Sequence, residues 1–474
     1  MAEYSLTEHF EVKGDWFLPE KPDRTLAGTL AYDGRRLTLE LNDRLQPLQG
    51  TVTINLGDPL PRHAVVHGIT TRGEAVTLFD VWQEGYRIHS STGGVRTPER
   101  LGSFMAVIGG HVTADTKYPE MRCRVPALEA WLSQRTIQPR FANKALTLVA
   151  DDQKSETTTT QVTDLRWETG TDASLDAHAA SLKTQGYVSL APKEPAPLSW
   201  FLEQLLKVTS LLTLLAGHHM PADRLMLTGE ALRQSLSVIV IRFGDVNCPY
   251  TNERQFFLPR SALGDSFGKL VEQWFSLYAK IQYSCNLALS VMGESALWAN
   301  VEFLSLMQAL EGLHRAMYDG NYMAPSEYDT VRETLVRAIP GTVLSAHRQS
   351  LVSKIQYGNE VSLNQRIRGL LDALPVALRK PIIGTDAAKP PRRWIDTRNY
   401  YTHWDEALRP NTMEIGEMHK ASVRLKHLLR VLFLHVAGVD ENLLSSALTN
   451  SSEVSQRLIQ LNAAEERQQN GKRA

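Results

Sequence analysis

The sequence predicts a multidomain α+β protein in which an N-terminal antiparallel β-sandwich or barrel-like domain precedes an all-α helical bundle. Three observations predict it. At 474 residues the chain is too long for one ordinary core, so two or three domains are expected. Through about residue 195 the chain reads as short apolar runs separated by turn dipeptides, the pattern of antiparallel strands. From about Ser266 onward the apolar period becomes helical, and the connections shorten to bundle lengths.

The elements follow in order. Leu26–Tyr32 and Arg36–Leu41 flank Asp33-Gly34, a dipeptide suited to a type I′ hairpin because both central positions need positive φ. Ala64–Thr70 and Ala75–Trp82 flank Arg72-Gly73 in the same way, and Phe104–Val112 contains Gly109-Gly110, a bulge or turn. Asp151–Gln161, with four threonines from Thr157 to Thr160, has no apolar period and reads as a loop or irregular edge strand. Pro192, Pro195 and Pro197 close this block. Leu198–Ala216 then carries Phe201, Leu202, Leu205, Val208, Leu211, Leu212 and Leu215 at helical spacing, and strand-like pieces return at Ser237–Phe243 and Gln255–Leu258.

The expected division is 1–195 for the β-rich domain, 196–262 for a helix and strands completing it, 263–440 for the bundle and 441–474 for a tail. Bundle helices are expected at Phe267–Val291, Ala296–Tyr318, Pro325–Ala338, Ser362–Leu374, Asp396–Leu408 and Met413–Ala437. From Ser451 the chain runs into Glu465-Glu466-Arg467-Gln468-Gln469-Asn470 and is expected to fray. No repeat of solenoid period is present.

A hydrophobic fraction of 43% with 22% charged residues fits an ordinary globular protein. The formal net charge of −1 supplies no global attraction to nucleic acid, so any such contact must use a local patch. Cys123, Cys248 and Cys285 are widely spaced and form no C-x-x-C pair, which argues against a disulfide framework and a zinc site. The N-terminus lacks a basic segment followed by an apolar core. The most apolar run, Leu205–Ala216, is too short to span a bilayer. A cytoplasmic protein without a membrane partner is expected.

The segment that carries chemistry is Arg398-Asn399-Tyr400-Tyr401-Thr402-His403. Spacing alone does not single it out, since an Arg precedes a His by five residues at Arg62/His67 and Arg430/His435 as well. His67 lies in an alternating strand pattern and His435 in the apolar run Val431-Leu432-Phe433-Leu434, so both read as structural. The third match has different surroundings. Pro390-Pro391 break what precedes it, Asp396 or Thr397 can cap a helix, and Pro410 ends the segment. At about 100° per residue, Tyr400, Tyr401, Trp404, Ala407 and Leu408 fall on one arc, expected to be buried. Arg398, Asn399, Thr402 and His403 fall on the other, facing a cleft or water.

A solvated helix face is the commoner fate of such a polar set, but its chemistry suits RNA. RNA carries its own nucleophile, the 2′-hydroxyl, so cleavage needs a base, a cation for the phosphorane and an acid for the leaving 5′-oxygen. Imidazole exchanges protons near neutral pH, which makes His403 the candidate base or acid. The planar fork of Arg398 matches phosphate oxygens, and a position near a helix N-terminus would add the dipole's pull on an anion. Asn399, one turn from His403, can orient imidazole or phosphate.

Upstream, Phe303, Leu306, Met307, Leu310 and Leu313 form the core stripe of a long helix, with Glu311 on its flank. Glu311 either braces Arg398 or positions His403, or it forms a surface pair with Arg315 at i+4. His314 lies in the stripe itself and reads as a core histidine. Between Arg379 and Arg398, six cations (Arg379, Lys380, Lys389, Arg392, Arg393, Arg398) face two acids (Asp386, Asp396). Lys389, Arg392 and Arg393 are therefore the candidate contacts to an RNA backbone. Trp394, Tyr400 and Tyr401 are able to stack on bases, although burial of the tyrosines is expected. Gly93-Gly94 lacks a following Lys-Ser/Thr, Gly217-His218-His219 reads as a helix end, and no paired-carboxylate array is present. No metal or cofactor is expected.

Arg398-Asn399-x-x-x-His403 near the end of a helical domain resembles the R-x(4–6)-H signature of the HEPN ribonuclease superfamily, in which Asn commonly follows the Arg. The helix Phe303–Arg315 resembles the one that carries an acidic residue in the ApeA branch of that superfamily. Gly14-Asp15-Trp16-Phe17-Leu18-Pro19, followed by Gly28-Thr29-Leu30, resembles the start of the ApeA N-terminal domain. The resemblance implies a HEPN-like bundle, a metal-independent anti-phage endoribonuclease that acts by abortive infection, and host RNA, including tRNA, as target. It also implies a homodimer in which two motifs face each other across a two-fold axis, because one His and one Arg supply half the groups required. The catalytic set becomes Arg398, Asn399, His403 and Glu311, and the β-domain a sensor or regulator of a phage-derived trigger. The alternative is a carbohydrate-, ligand- or peptide-binding β-domain whose bundle only dimerises. Replacing Arg398 or His403 is expected to spare the fold, and replacing a buried Trp404 to unfold it.

Overall fold

The structure, a computed structural model, describes residues 4–46, 62–86, 89–91, 94–132, 137–142, 145–150, 155–175, 178, 180–228, 235–241, 250, 252–293, 297–385, 387–451, 454 and 456–463. Cys248, Gly93, Asp386, Phe243, Ala296 and the run Glu465–Asn470 lie outside the described residues. Two compact units divide the chain at Met1–Glu272 and Gln273–Ala474.

Among the described residues the main sheet of the first unit has twelve antiparallel strands: β1 (Phe10–Phe17), β2 (Leu26–Tyr32), β3 (Leu37–Leu41), β4 (Arg62–Thr70), β5 (Ala75–Tyr86), β6 (Glu99–Ile108), β7 (Glu120–Arg124), β8 (Ser155–Thr159), β9 (Thr163–Leu175), β10 (Ala180–Pro192), β11 (Arg224–Thr228) and β12 (Leu236–Val240). Their order is β8-β9-β10-β7-β11-β12-β6-β3-β2-β1-β4-β5, and β5 also pairs with β6. That last pairing closes β1 to β6 into a six-stranded barrel, from which the remaining strands extend as an open sheet beyond β12. β6 makes this possible because its first half pairs with β3 and its second half with β12, while β5 runs along its other edge.

Period-two patterning selects the faces. In β3, Leu37, Leu39 and Leu41 are buried, whereas Thr38 and Glu40 are not. Trp16 is fully buried against Gly68, where a Cβ would come within 2.3 Å of the indole, so that crossing admits only glycine. Ser155–Thr159 forms an edge strand, the second of the two expected forms for that stretch.

Both hairpins differ from the I′ expectation. Asp33 N–H bonds Arg36 O at 3.3 Å, which encloses Gly34-Arg35, and of these only Gly34 has positive φ, at 85°. Asp33 Oδ1 accepts from the N–H groups of Arg35 and Arg36, so the side chain rather than a second left-handed residue closes the turn. At the other hairpin Thr70 N–H bonds Glu74 O, giving three residues, Thr71 to Gly73, with Gly73 at φ 78°.

Helix α1 (Leu198–Ala216) ends at Gly217 in the left-handed region, φ 82°, as expected for Gly217-His218-His219. α1 is long and apolar enough to cross a membrane by composition, and most of it is buried within the first unit. Gln255–Leu258 is not a strand. Glu253–Gln255 forms a 3-10 turn, after which the N–H groups of Phe257 and Leu258 donate to the carbonyls of Ala216 and Leu215.

The second unit is helical: the greater part of α2 (Ser266–Gly293), then α3 (Ala299–Met317), α4 (Pro325–Arg337), α5 (Ser345–Gln356), α6 (Leu363–Asp372), α7 (Val376–Ile383), α8 (Arg392–His403), α9 (Ile415–Val436) and α10 (Glu441–Asn450). α3 packs along α9, and Phe303, Leu306, Met307, Leu310 and Leu313 are fully buried, as are Leu425, Leu428 and Leu429. Two polar groups of the bundle are paired: Lys426 Nζ meets Glu302 Oε1 at 2.5 Å and Ser284 Oγ donates to Ala309 O.

Among the described residues of the second unit, three helices are not among those expected from the sequence. α5 buries no residue and so shows no apolar period. α7 contains Pro381, which reads as a breaker. α10 continues the bundle with Leu444 and Leu448 buried, where a tail is expected from 441 onward.

Candidate active site

The motif helix begins and ends earlier than its sequence suggests. Pro391 is the N-cap, followed by Arg392 in the first turn, so Asp396 and Thr397 sit inside the helix rather than at its start. Both are buried, and Thr397 Oγ1 accepts from Met413 N at 2.9 Å, fastening the helix to the segment that leads into α9. Trp394 is 4% exposed and supplies the apolar anchor. The helix ends at His403, because Trp404 takes left-handed values, φ 52°, and Glu406–Asn411 continues as a 3-10 turn.

These boundaries correct two expectations. Arg398 lies midway along α8, so it gains nothing from a helix N-terminus, and His403 occupies the last turn. The arc of Tyr400, Tyr401, Trp404, Ala407 and Leu408 is not a core face either. With the helix ended at 403, Trp404 is 66% exposed, Ala407 is exposed, and both tyrosines and Leu408 are only half-buried.

Arg398 is held at both ends of its fork. Nη2 donates to Glu311 Oε2 at 2.9 Å and Nη1 to Asn399 Oδ1 at 3.2 Å. Two of its five donors are thereby used to fix the guanidinium, and the others remain for an anion. Glu311 combines the two roles weighed for it: Oε1 accepts from Arg315 at 3.1 Å while Oε2 accepts from Arg398. α3 and α8 are thus joined by one carboxylate between two guanidinium groups.

The chain of charges continues inward. Arg315 Nη2 also reaches Glu360 Oε2 at 2.8 Å, and Arg366, 1% exposed, reaches the same oxygen at 3.2 Å. Burial works against the charge of Arg315, but its hydrogen bonds to Glu360 and Glu311 outweigh it and raise its pKa. Burial, with Arg315 alongside, lowers that of Arg366. His314 is a core histidine, as expected: Nδ1 faces Arg366 Nη1 at 3.5 Å and its ring lies 5.2 Å from Tyr318. Burial, reinforced by Arg366 and Arg315, holds its pKa below the ordinary value, which keeps the ring neutral.

His403 is exposed, and among the described residues no group hydrogen-bonds its ring. Five residues separate it from Arg398, about 140° around the helix, so the two side chains diverge. Asn399 lies between them in angle. Thr402 Oγ1 turns back to Arg398 O at 2.8 Å and is spent on the helix.

The three basic candidates separate. Lys389 is exposed, and Arg392 is exposed with one loose contact to Asp396 at 3.4 Å. Arg393 is committed elsewhere, to Glu417 and to the carbonyls of Asn411 and Thr412, where it ties α8 to the start of α9. Arg379 likewise caps α6 by donating to the carbonyls of Leu371 and Leu374. Sequence reasoning missed the Arg315–Glu360–Arg366 chain. Glu360 and Arg366 sit on separate segments, and no period links them to Glu311.

Among the described residues no three His, Cys, Asp or Glu side chains are grouped to hold a metal ion. Cys123 and Cys285 are buried free thiols, and burial raises both pKa values, so neither is a nucleophile. The decoy histidines are structural: His67 stacks on His111 at 4.3 Å in the barrel, and His435 lies in the last turn of α9.

The family model for ApeA N-terminal domain 1 matches residues 11–274, and that for Apea-like HEPN matches residues 304–443. No curated protein and no solved structure matches the chain. The first match runs from β1 to the start of α2, the second from within α3 to the start of α10, and the first alone spans more than half of the chain. The chain belongs to the ApeA-like HEPN family of defence proteins.

Proposed function

We propose that this protein is a metal-independent endoribonuclease that cuts RNA by attack of the 2′-hydroxyl on the adjacent phosphate. The observation that carries the reading is the fixed Arg398 fork and, five residues on along the same helix, an exposed His403 whose ring has no hydrogen-bond partner among the described residues. HEPN domains are generally nucleases, which gives that arrangement its chemical direction.

His403 removes the 2′-hydroxyl proton or protonates the leaving 5′-oxygen. As O2′ bonds phosphorus, the P–O5′ bond breaks, leaving a 2′,3′-cyclic phosphate and a 5′-hydroxyl. Arg398, held by Glu311 and Asn399, meets the charge that develops on the non-bridging oxygens. Glu311 is a positioning residue. Lys389 and Arg392 guide the RNA backbone toward the motif.

In an in-line displacement the entering 2′-oxygen and the leaving 5′-oxygen stand on opposite sides of phosphorus, so one imidazole does not reach both, and Arg398 and His403 diverge around α8. A second copy facing the first across a two-fold axis supplies the complementary pair. The reading therefore includes a homodimer, action in the cytoplasm on host RNA, and a β-domain that senses a phage-derived trigger.

Incubating the purified chain with total RNA in excess EDTA tests the reading. Cleavage is expected to persist in the chelator and to vanish in His403→Ala. Loss of cleavage in EDTA with recovery on added magnesium would overturn it.

A further inference from the structure

At the C-terminal end of α8 three aromatic rings form a cluster that the fold does not bury. Tyr400 and Tyr401 meet edge-on at 5.3 Å, and Trp404 lies 5.7 Å from the first and 6.0 Å from the second, inclined at 64° and 67°. The tyrosines are half-buried, and Trp404, immediately after His403, is 66% exposed. A bulky residue in the left-handed region is disfavoured, by about 1 kcal/mol or more, and glycine would cap this helix without that cost. The fold thus holds a large ring in the open, supported on two sides, next to the candidate proton-transfer group.

We propose that Trp404, seated on Tyr400 and Tyr401, is a stacking subsite for one unpaired base of the RNA, adjoining the nucleotide whose phosphate meets His403. This rests on the ribonuclease reading and adds to it a determinant of substrate form: single-stranded RNA with a base free to leave its stack.

Charge placement favours a base over a phosphate here. Asp405 and Glu406 follow Trp404 and are exposed; Glu406 is paired with Arg409 at 3.3 Å, and Asp405 is the charge that repels backbone phosphates from the rings. The exposed cations Lys389 and Arg392 lie at the opposite end of α8, about 18 Å away for a helix of this length, with Arg398 between. Backbone is therefore drawn to one end of the helix and an aromatic surface waits at the other.

The test uses the full-length His403→Ala chain, which binds without cutting, and a short single-stranded RNA oligonucleotide. Adding Trp404→Ala is expected to weaken binding roughly 5- to 100-fold, as loss of one stacked base does, while Trp404→Phe stays within about threefold. An abasic scan of the oligonucleotide is expected to find one position where base removal weakens the parent but not the Trp404→Ala chain. Equal affinity with and without Trp404, or a loss that no abasic position mimics, would overturn the subsite. Dissociation of a dimer together with lost binding would assign the rings to a second copy instead, and would overturn it too. If wild type cuts RNA and Trp404→Ala binds and cuts alike, only the subsite fails. If wild type neither binds nor cuts RNA, the ribonuclease reading fails and takes the subsite with it.

Discussion

Arg398 and His403 sit in one motif but are held in different ways, and their substitution should separate accordingly. His403 is exposed and unpartnered, so His403→Ala is expected to change stability by no more than about 0.5 kcal/mol. Arg398 is three-quarters buried, 23% exposed at the side chain, and bonded to Glu311. Arg398→Ala leaves that carboxylate with Arg315 alone and is expected to cost about 1–3 kcal/mol. Both changes should abolish cleavage, which makes His403→Ala the cleaner probe of chemistry. Trp404→Ala, expected from the sequence to unfold the protein, should not do so: its exposed ring makes no core, alanine keeps the same Cβ and the same left-handed strain, and only the edge contacts are lost, worth about 0.5–1.5 kcal/mol. Urea denaturation of the three variants checks this ranking, and a His403→Ala chain less stable than Arg398→Ala would contradict it.

At the scale of elements, the acid response of the bundle follows from its buried histidines. Burial, with Arg430 beside it, holds His427 on α9 well below its ordinary value, and burial lowers His314 on α3. Both are neutral in the folded chain and take up protons on unfolding near pH 6.5, the ordinary imidazole value. Stability is therefore complete above that pH and falls as pH drops below it, because the unfolded state binds more protons. The midpoint of thermal unfolding should fall between about pH 7.5 and about pH 5.5, and His427→Gln should flatten that slope whatever it does to the midpoint. An unchanged slope would remove His427 from the account.

The legibility of the sequence has the same physical basis at this scale. Helices that bury a stripe, such as α3 and α9, were readable from Phe303, Leu306 and Leu310 or from Leu425, Leu428 and Leu432. α5, which buries nothing, and α7, which contains Pro381, were not. The candidate residues of the motif could be named from their types, and Glu311 from its place on a helix flank. Their partners on other elements, Glu360 and Arg366, and the early end of α8 at His403 depend on tertiary contacts and on one left-handed residue, neither of which leaves a period in the sequence.

In the whole molecule a closed barrel with an attached sheet is followed by a bundle that, on the proposed reading, carries half of a composite site. Light scattering of the full chain should give twice 53.1 kDa, and diluting the protein below its dimer constant should lower the activity per chain. A monomer with undiminished specific activity would return the chemistry to a single motif. The central claim is that RNA supplies the nucleophile and that Arg398 and His403 do the rest. It is tested most directly with an RNA cut at one known position, carrying a 2′-deoxynucleotide on the 5′ side of that bond, in EDTA. The account predicts that the unmodified strand yields 2′,3′-cyclic phosphate and 5′-hydroxyl ends while the deoxy-substituted bond stays intact. Cleavage of the deoxy-substituted bond, or 5′-phosphate ends on either strand, would contradict it.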